Sequence, residues 1–301
     1  MTRGNKLFLT GLAAMLASVG TWQVTLAASS NSPTPSQPNS SSQATSPQAT
    51  SSGAAPPQAT PSQATSSSSQ AAASQTATAN SAVDPDAVAA LYKMGDYLRT
   101  LTSFEVRSDT TTDAVLSNDQ KVQLGGTVDY KVRRPNAFAI TVDSDRKQRN
   151  FFYDGKTFTI YAPRMGFFTT LPAPSTISEL FKTVYNKYNV QLPLEDLFHW
   201  GQPDDQHNLK SGGIVGYAKL NGVDTDQYAF REGDIDWQIW IQRGSQPLPL
   251  KVVIVKTSDS TMPQYSSTLH WNTNISFPDT TFAFKPPPNS KPIIIATTKA
   301  N

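Results

Sequence analysis

Residues 237–255 read WQIWIQRGSQPLPLKVVIV. The stretch has the pattern of two β-strands joined by a turn, because strand side chains alternate between faces. Trp237, Ile239 and Ile241 share one face, and Trp240 points the other way between Gln238 and Gln242. In the second run Leu248, Leu250, Val252 and Ile254 share a face, with Lys251, Val253 and Val255 opposite. One face is core. The other is apolar enough at Trp240, Val253 and Val255 to need cover or a partner.

Working outward, the same period-two alternation recurs. Upstream strands are expected at 103–115, 121–132, 137–143, 149–154, 157–162 and 166–171. Asp154-Gly155 reads as a two-residue hairpin turn with both residues at positive φ, a register that sets Phe151 opposite Phe158. Downstream strands are expected at 213–220, 223–231, 236–242, 248–257 and 264–275, with Asn221-Gly222 as a second such turn. Two stretches switch to helical spacing. Asp84-Pro85 opens a helix over 85–101, where Val88, Leu91, Leu98 and Leu101 recur. Thr176 and Glu179 form a capping box for a helix over 176–188 carrying Ile177, Leu180, Phe181, Val184 and Tyr188. A short helical turn is expected from Leu194 to Phe198. This order gives an α+β domain, with helices lying on one face of a large antiparallel sheet.

The flanks differ in kind. Arg3 and Lys6 precede an apolar run from Leu7 to Ala17, and small residues follow at Ala27 and Ala28, the layout of a cleaved secretory signal peptide over 1–27. Residues 28–83 hold no charged and no aromatic side chain, only a broken Ser/Thr/Gln/Ala/Pro repeat such as SSQATS and PSQATS. Such a chain buries too little to offset its ordering entropy and reads as a disordered tether. The folded domain is expected over 84–290, with a tail at 291–301. There is no cysteine, so neither a disulfide nor a lipid-modified cysteine is possible. Of 25 basic residues, Arg3 and Lys6 lie in the leader, which leaves 23 against 23 acidic ones. That balance gives no electrostatic footprint for nucleic acid.

Catalytic patterns are absent from the sequence. His199, His207 and His270 are not at metal-ligand spacing. Asp204, Asp205 and His207 read as a solvated loop. Gly212-Gly213-Ile214-Val215-Gly216 has the wrong spacing for a dinucleotide loop, and Asp234 and Asp236 read as turn acids. No metal, cofactor or enzymatic activity is expected. Four Trp, ten Tyr and thirteen Phe follow residue 83, far more than the polar chemistry would suggest. A sheet apolar on both faces can curl around an interior or dock a partner.

The motif order adds a resemblance. GTVDYKVRRP at 126–135 is followed by Asn136-Ala137-Phe138, then Tyr153-Asp154-Gly155-Lys156-Thr157, then Pro249-Leu250-Lys251, then Phe282-Ala283-Phe284-Lys285-Pro286-Pro287. This resembles the periplasmic lipoprotein carriers (LolA/LolB-like) of Gram-negative bacteria, and within that superfamily an uncharacterised set of predicted periplasmic proteins. The resemblance implies a strongly curved antiparallel sheet, an incomplete barrel covered on its concave face by helices, with a cavity between them that holds acyl chains of lipid or lipoprotein. It implies a periplasmic location, and it implies that Arg134, before the Arg-Pro-Asn proline, helps hold a helical lid closed. The candidate cavity residues are Trp237, Ile239, Ile241, Leu250, Val252, Phe151 and Phe158, and the candidate docking residues are Trp240, Val253 and Val255. The expected ligand is an acyl chain, and the expected state is a monomer. The alternative is an envelope interaction or sensor module that binds a protein through the exposed strip without transporting a ligand.

Overall fold

Strand β9 (Ile235–Gln242) alternates strictly, with Ile235, Trp237, Ile239 and Ile241 buried and Asp236, Gln238, Trp240 and Gln242 half-buried. In this computed structural model, which describes residues 83–193, 197, 209–295 and 297, that alternation runs through one large sheet. The strands are β1 (Ser103–Val115), β2 (Lys121–Arg133), β3 (Ala137–Ser144), β4 (Gln148–Tyr153), β5 (Thr157–Ala162) and β6 (Phe167–Pro172). After them come β7 (Leu209–Leu220), β8 (Val223–Glu232), β9, β10 (Pro249–Lys256), β11 (Gln264–Asn272) and β12 (Lys291–Pro292). Their order is β12-β6-β5-β4-β3-β2-β1-β11-β10-β9-β8-β7, antiparallel apart from the β12–β6 contact. The sheet is curved and unclosed, with β12 and β7 as its edges. The leader, the tether up to residue 82, the expected turn at 194–198 apart from Leu197, and His199, Asp204, Asp205 and His207 lie outside the described residues.

Among the described residues one α-helix precedes β1 and another lies between β6 and β7. Helix α1 (Pro85–Thr100) starts where Asp84 Oδ1 accepts the Asp86 N–H at 2.9 Å, with Pro85 in the first turn. Helix α2 (Ile177–Tyr188) starts where Thr176 Oγ1 accepts the Glu179 N–H at 3.3 Å and donates to Glu179 Oε2 at 3.0 Å. It ends at Asn189, φ 51°, whose N–H reaches Tyr185 O. Ala87, Leu91, Met94 and Leu98 of α1 and Ile177, Leu180, Phe181 and Val184 of α2 share one buried cluster with the inner strand face.

The register defines that face across the whole sheet. Phe138 pairs Tyr153, and Tyr153 pairs Phe158. Phe104 pairs Val132, which pairs Phe138. On the other wing Tyr265 pairs Ile254, which pairs Trp237, which pairs Phe230. Aromatic rings meet at the helix: Phe181 lies 6.0 Å from Phe138, which lies 5.4 Å from Tyr153.

The two hairpin turns expected from sequence differ in the structure. Asn221 (φ 50°) and Gly222 (φ 84°) do form a two-residue hairpin turn. At Asp154-Gly155 only Gly155 (φ 84°) has positive φ. Asp154 Oδ1 instead accepts the N–H groups of Lys156 and Thr157, at 2.9 and 2.7 Å, which widens the loop. Phe151 therefore pairs Ile160, not Phe158. The slip is two residues, so both rings keep the inner face and stack at 6.3 Å and 9°. A bulge between Pro249 and Lys251 interrupts β10 at Leu250. Finally, Lys291 and Ile293, placed in a tail by sequence, donate N–H groups to Gly166 O and Phe168 O at 2.8 Å each, because β6 would otherwise be a bare edge.

The outer face carries its own apolar cover on one wing. Near β4 to β6, Phe284 lies within 5.2–5.5 Å of the rings of Phe152, Tyr161 and Phe168. Arg133 holds the same segment through Asp279 at 2.7 Å and stacks over Phe282 at 4.9 Å. The Phe-x-Phe-x-Pro-Pro motif is thus a cover for the outer sheet surface.

Candidate functional site

All seven cavity candidates lie on the inner face. Ile239, Val252 and Phe158 are fully buried, Trp237, Ile241 and Phe151 nearly so, and Leu250 is half-buried against the same cluster. They come from two wings. Strands β4 and β9 are six strand steps apart, about 29 Å along the sheet at ~4.8 Å per step. Between them the face is continued by Phe104, Val106, Val128, Tyr130, Val132 and Leu269. The polar interruptions are small: Ser108 and Ser267, both fully buried, bond each other at 2.6 Å. The surface is a largely apolar band from wing to wing, with the hydroxyls of Tyr130 and Tyr265 and the Trp237 Nε1 also buried on it.

The aromatic group at the α2 wing is richer than the sequence reading suggested, since Phe138, Tyr153 and Phe181 join Phe151 and Phe158. The β3 alternation pointed to Phe138. Tyr153 also donates its hydroxyl to Pro174 O at 2.5 Å, tying β4 to the segment that leads into α2. Burial, with the nearby negative charges of Glu179 and Asp154, pushes that hydroxyl up from 10 to about 12. At the other wing Phe230 stacks on Trp237 at 4.4 Å and lies directly over Gly212, where an added Cβ would sit 2.3 Å from the Phe230 ring. Gly212 is glycine because the ring occupies its side-chain space.

Arg134 sits where the two helices meet the sheet. Its N–H donates to Thr102 O at 2.8 Å, just past the end of α1, and its guanidinium carbon lies 6.0 Å from the Phe104 ring centre. The carbonyl of the next residue, Pro135, accepts the Ile177 N–H at 3.0 Å, the first residue of α2. Burial, and then the charge of Arg99 in the last turn of α1, lowers the Arg134 pKa.

Trp240 lies on the outer face, opposite Trp237, with Lys251 Nζ 5.0 Å from its ring centre. Val253 is buried, and Trp240 and Val255 are half-buried. A cluster of exposed apolar side chains lies elsewhere, at Ile214, Val215 and Tyr217 on β7, each about half exposed. They escaped the sequence reading because glycines break the alternation there.

Among the described residues no group of three or more His, Cys, Asp or Glu is placed to hold a metal ion. No helix among them is long and apolar enough to cross a membrane.

An unclosed α+β half-barrel with one apolar inner face defines a class of sheet proteins built around a hydrophobic interior. Within that class the chain belongs to a family described as "Predicted periplasmic protein (DUF2092)", which it matches over residues 87–296, and its place is the periplasm. A comparison with curated proteins finds no match. Among solved structures, similarity is found to the Mycobacterium tuberculosis lipoprotein LppX, with 16% identity over 64% of this chain and 98% of the other at a TM-score of 0.42. LprF from Mycobacterium bovis gives 14%, 65%, 98% and 0.39. A LolA superfamily protein from Nitrosomonas europaea gives 10%, 66%, 97% and 0.29.

Proposed function

We propose that this protein is a non-catalytic periplasmic binding protein whose apolar band, under helices α1 and α2, receives acyl chains of lipid or lipoprotein. The observation that carries the reading is the inner face itself, apolar along the sheet from β5 to β8, with side chains of α1 and α2 in the same buried cluster. The carrier-like motif order in the sequence supports it. A chain entering this band would replace helix contacts with its own methylenes, each contributing about 0.8 kcal/mol on burial. In this reading α1 and α2 are the lid over the concave face. Arg134 is its latch, through a buried guanidinium that lies over Phe104 and near Arg99 of α1, on a segment whose next residue bonds the start of α2. Lid opening is the bistable step, and the latch sets its equilibrium. The test is titration of the purified protein with a fluorescent fatty-acid probe. Saturable binding, competed by unlabelled fatty acid and tighter in Arg134→Leu, supports the reading. Absence of saturable binding in both proteins excludes it.

A further inference from the structure

A pocket of about 210 Å³ opens where α1 meets the ends of β8 and β9. Its walls include Ala90, Tyr228, Ile241 and Pro247, and its polar groups include Lys93, Asp226 and Arg243. Tyr228 and Ile241 belong to the inner face, so the pocket is the outer end of the apolar band. The exposed side chains of Ile214 and Tyr217 continue that band beyond it, for Ile214 pairs Tyr228 and Tyr217 pairs Asp226. The volume is below the ~300 Å³ at which drug-sized ligand pockets begin, so it fits one end of a ligand and not the whole.

The charges decide which end. Asp226 is the one acid of the lining, and Arg243 Nε pairs with it at 3.0 Å while the guanidinium lies 5.3 Å from the Tyr217 ring. Burial, and then the Asp226 charge, pushes the Tyr228 hydroxyl up, which keeps it a neutral donor. Lys93 is exposed and makes no ion pair among the described residues, so its charge is the uncompensated one. Asp84 and Asp86 act on Tyr228 more weakly than Asp226 and lie outside the lining. We infer that this pocket seats the anionic head of a single amphiphile whose acyl chain lies along the inner face, with Lys93 as the principal counter-charge and Arg243 beside it.

The inference rests on the acyl-binding reading, and the test separates the two. Calorimetric titrations of the full chain use lysophosphatidic acid, the monoacylglycerol with the same acyl chain, and glycerol phosphate. The expected result is tighter binding of lysophosphatidic acid than of monoacylglycerol, with no measurable binding of glycerol phosphate. Lys93→Glu should weaken lysophosphatidic acid about tenfold, the scale for reversing one screened surface charge. Monoacylglycerol affinity should stay within about twofold by the same reasoning, and Lys93→Arg should behave as the parent. Equal loss of both amphiphiles in Lys93→Glu, or loss of neither, overturns the head-group assignment and leaves acyl binding standing. Glycerol phosphate binding as tightly as lysophosphatidic acid also overturns it, in favour of a plain anion site. Binding of neither amphiphile to the parent removes both proposals.

Discussion

Phe181→Ala is the sharpest perturbation of the proposed lid. The Phe181 ring is 1% exposed, lies 6.0 Å from Phe138, and through it joins Tyr153 and Phe158. Truncating a buried phenylalanine costs about 3–5 kcal/mol, part transfer and part cavity. A domain with ordinary stability of about 5–15 kcal/mol should stay folded. The void opens beside Phe138, the ring that joins Phe181 to Phe158 on the inner face. An acyl chain that reaches it recovers about 0.8 kcal/mol per methylene. Four methylenes would recover about 3 kcal/mol, or roughly a hundredfold in affinity. The assay pairs urea denaturation, with and without a saturating fatty-acid probe, with direct calorimetric titration. The variant should lose stability when empty and bind the probe more tightly than the parent. A variant that loses 3–5 kcal/mol yet binds the probe with parental affinity would refute the argument, because no chain would then run between α2 and strands β3 to β5.

Gly212→Ala should cost about 1–3 kcal/mol in chemical denaturation, since its Cβ would sit 2.3 Å from the Phe230 ring and force it off Trp237; an unchanged midpoint would mean the ring is free to move. The hydroxyl of Tyr153 is held protonated in the fold, so the stability it contributes is fully present below pH 10 and is lost as pH rises from 10 through about 12. A pH series of melting curves should show that loss in the parent and not in Tyr153→Phe, and identical slopes in the two would contradict the assignment. Trp240→Ala should cost about 1–2 kcal/mol, less than a core tryptophan, because the ring is half-buried beneath Lys251; a loss of 3–5 kcal/mol would put it in the core.

Most of the architecture is legible wherever one face is buried and the other is not. The 235–242 alternation, the two capped helices and the Asn221-Gly222 turn are local features, and local chemistry sets them. The reading slipped where a side chain competes with the backbone. Asp154 takes two N–H groups and makes a wider loop, which moved the pairing of Phe151 by two residues without changing its face. It also missed partners distant in sequence. Nothing within 276–287 says that Phe284 covers Phe152, Tyr161 and Phe168, or that Arg133 reaches Asp279. The Lys93 and Arg243 pocket was invisible for the same reason, as it joins a helix to a strand end 150 residues later.

The central claim is that the inner face is a seat for acyl chains. Native mass spectrometry of the protein isolated from periplasm, without detergent, tests it directly. The account predicts a population carrying one or more discrete adducts that fragment to acyl-chain masses and are removed by organic extraction, with the extracted protein rebinding a fatty-acid probe. A bare mass from periplasm, together with no rebinding of the probe after extraction, would contradict it.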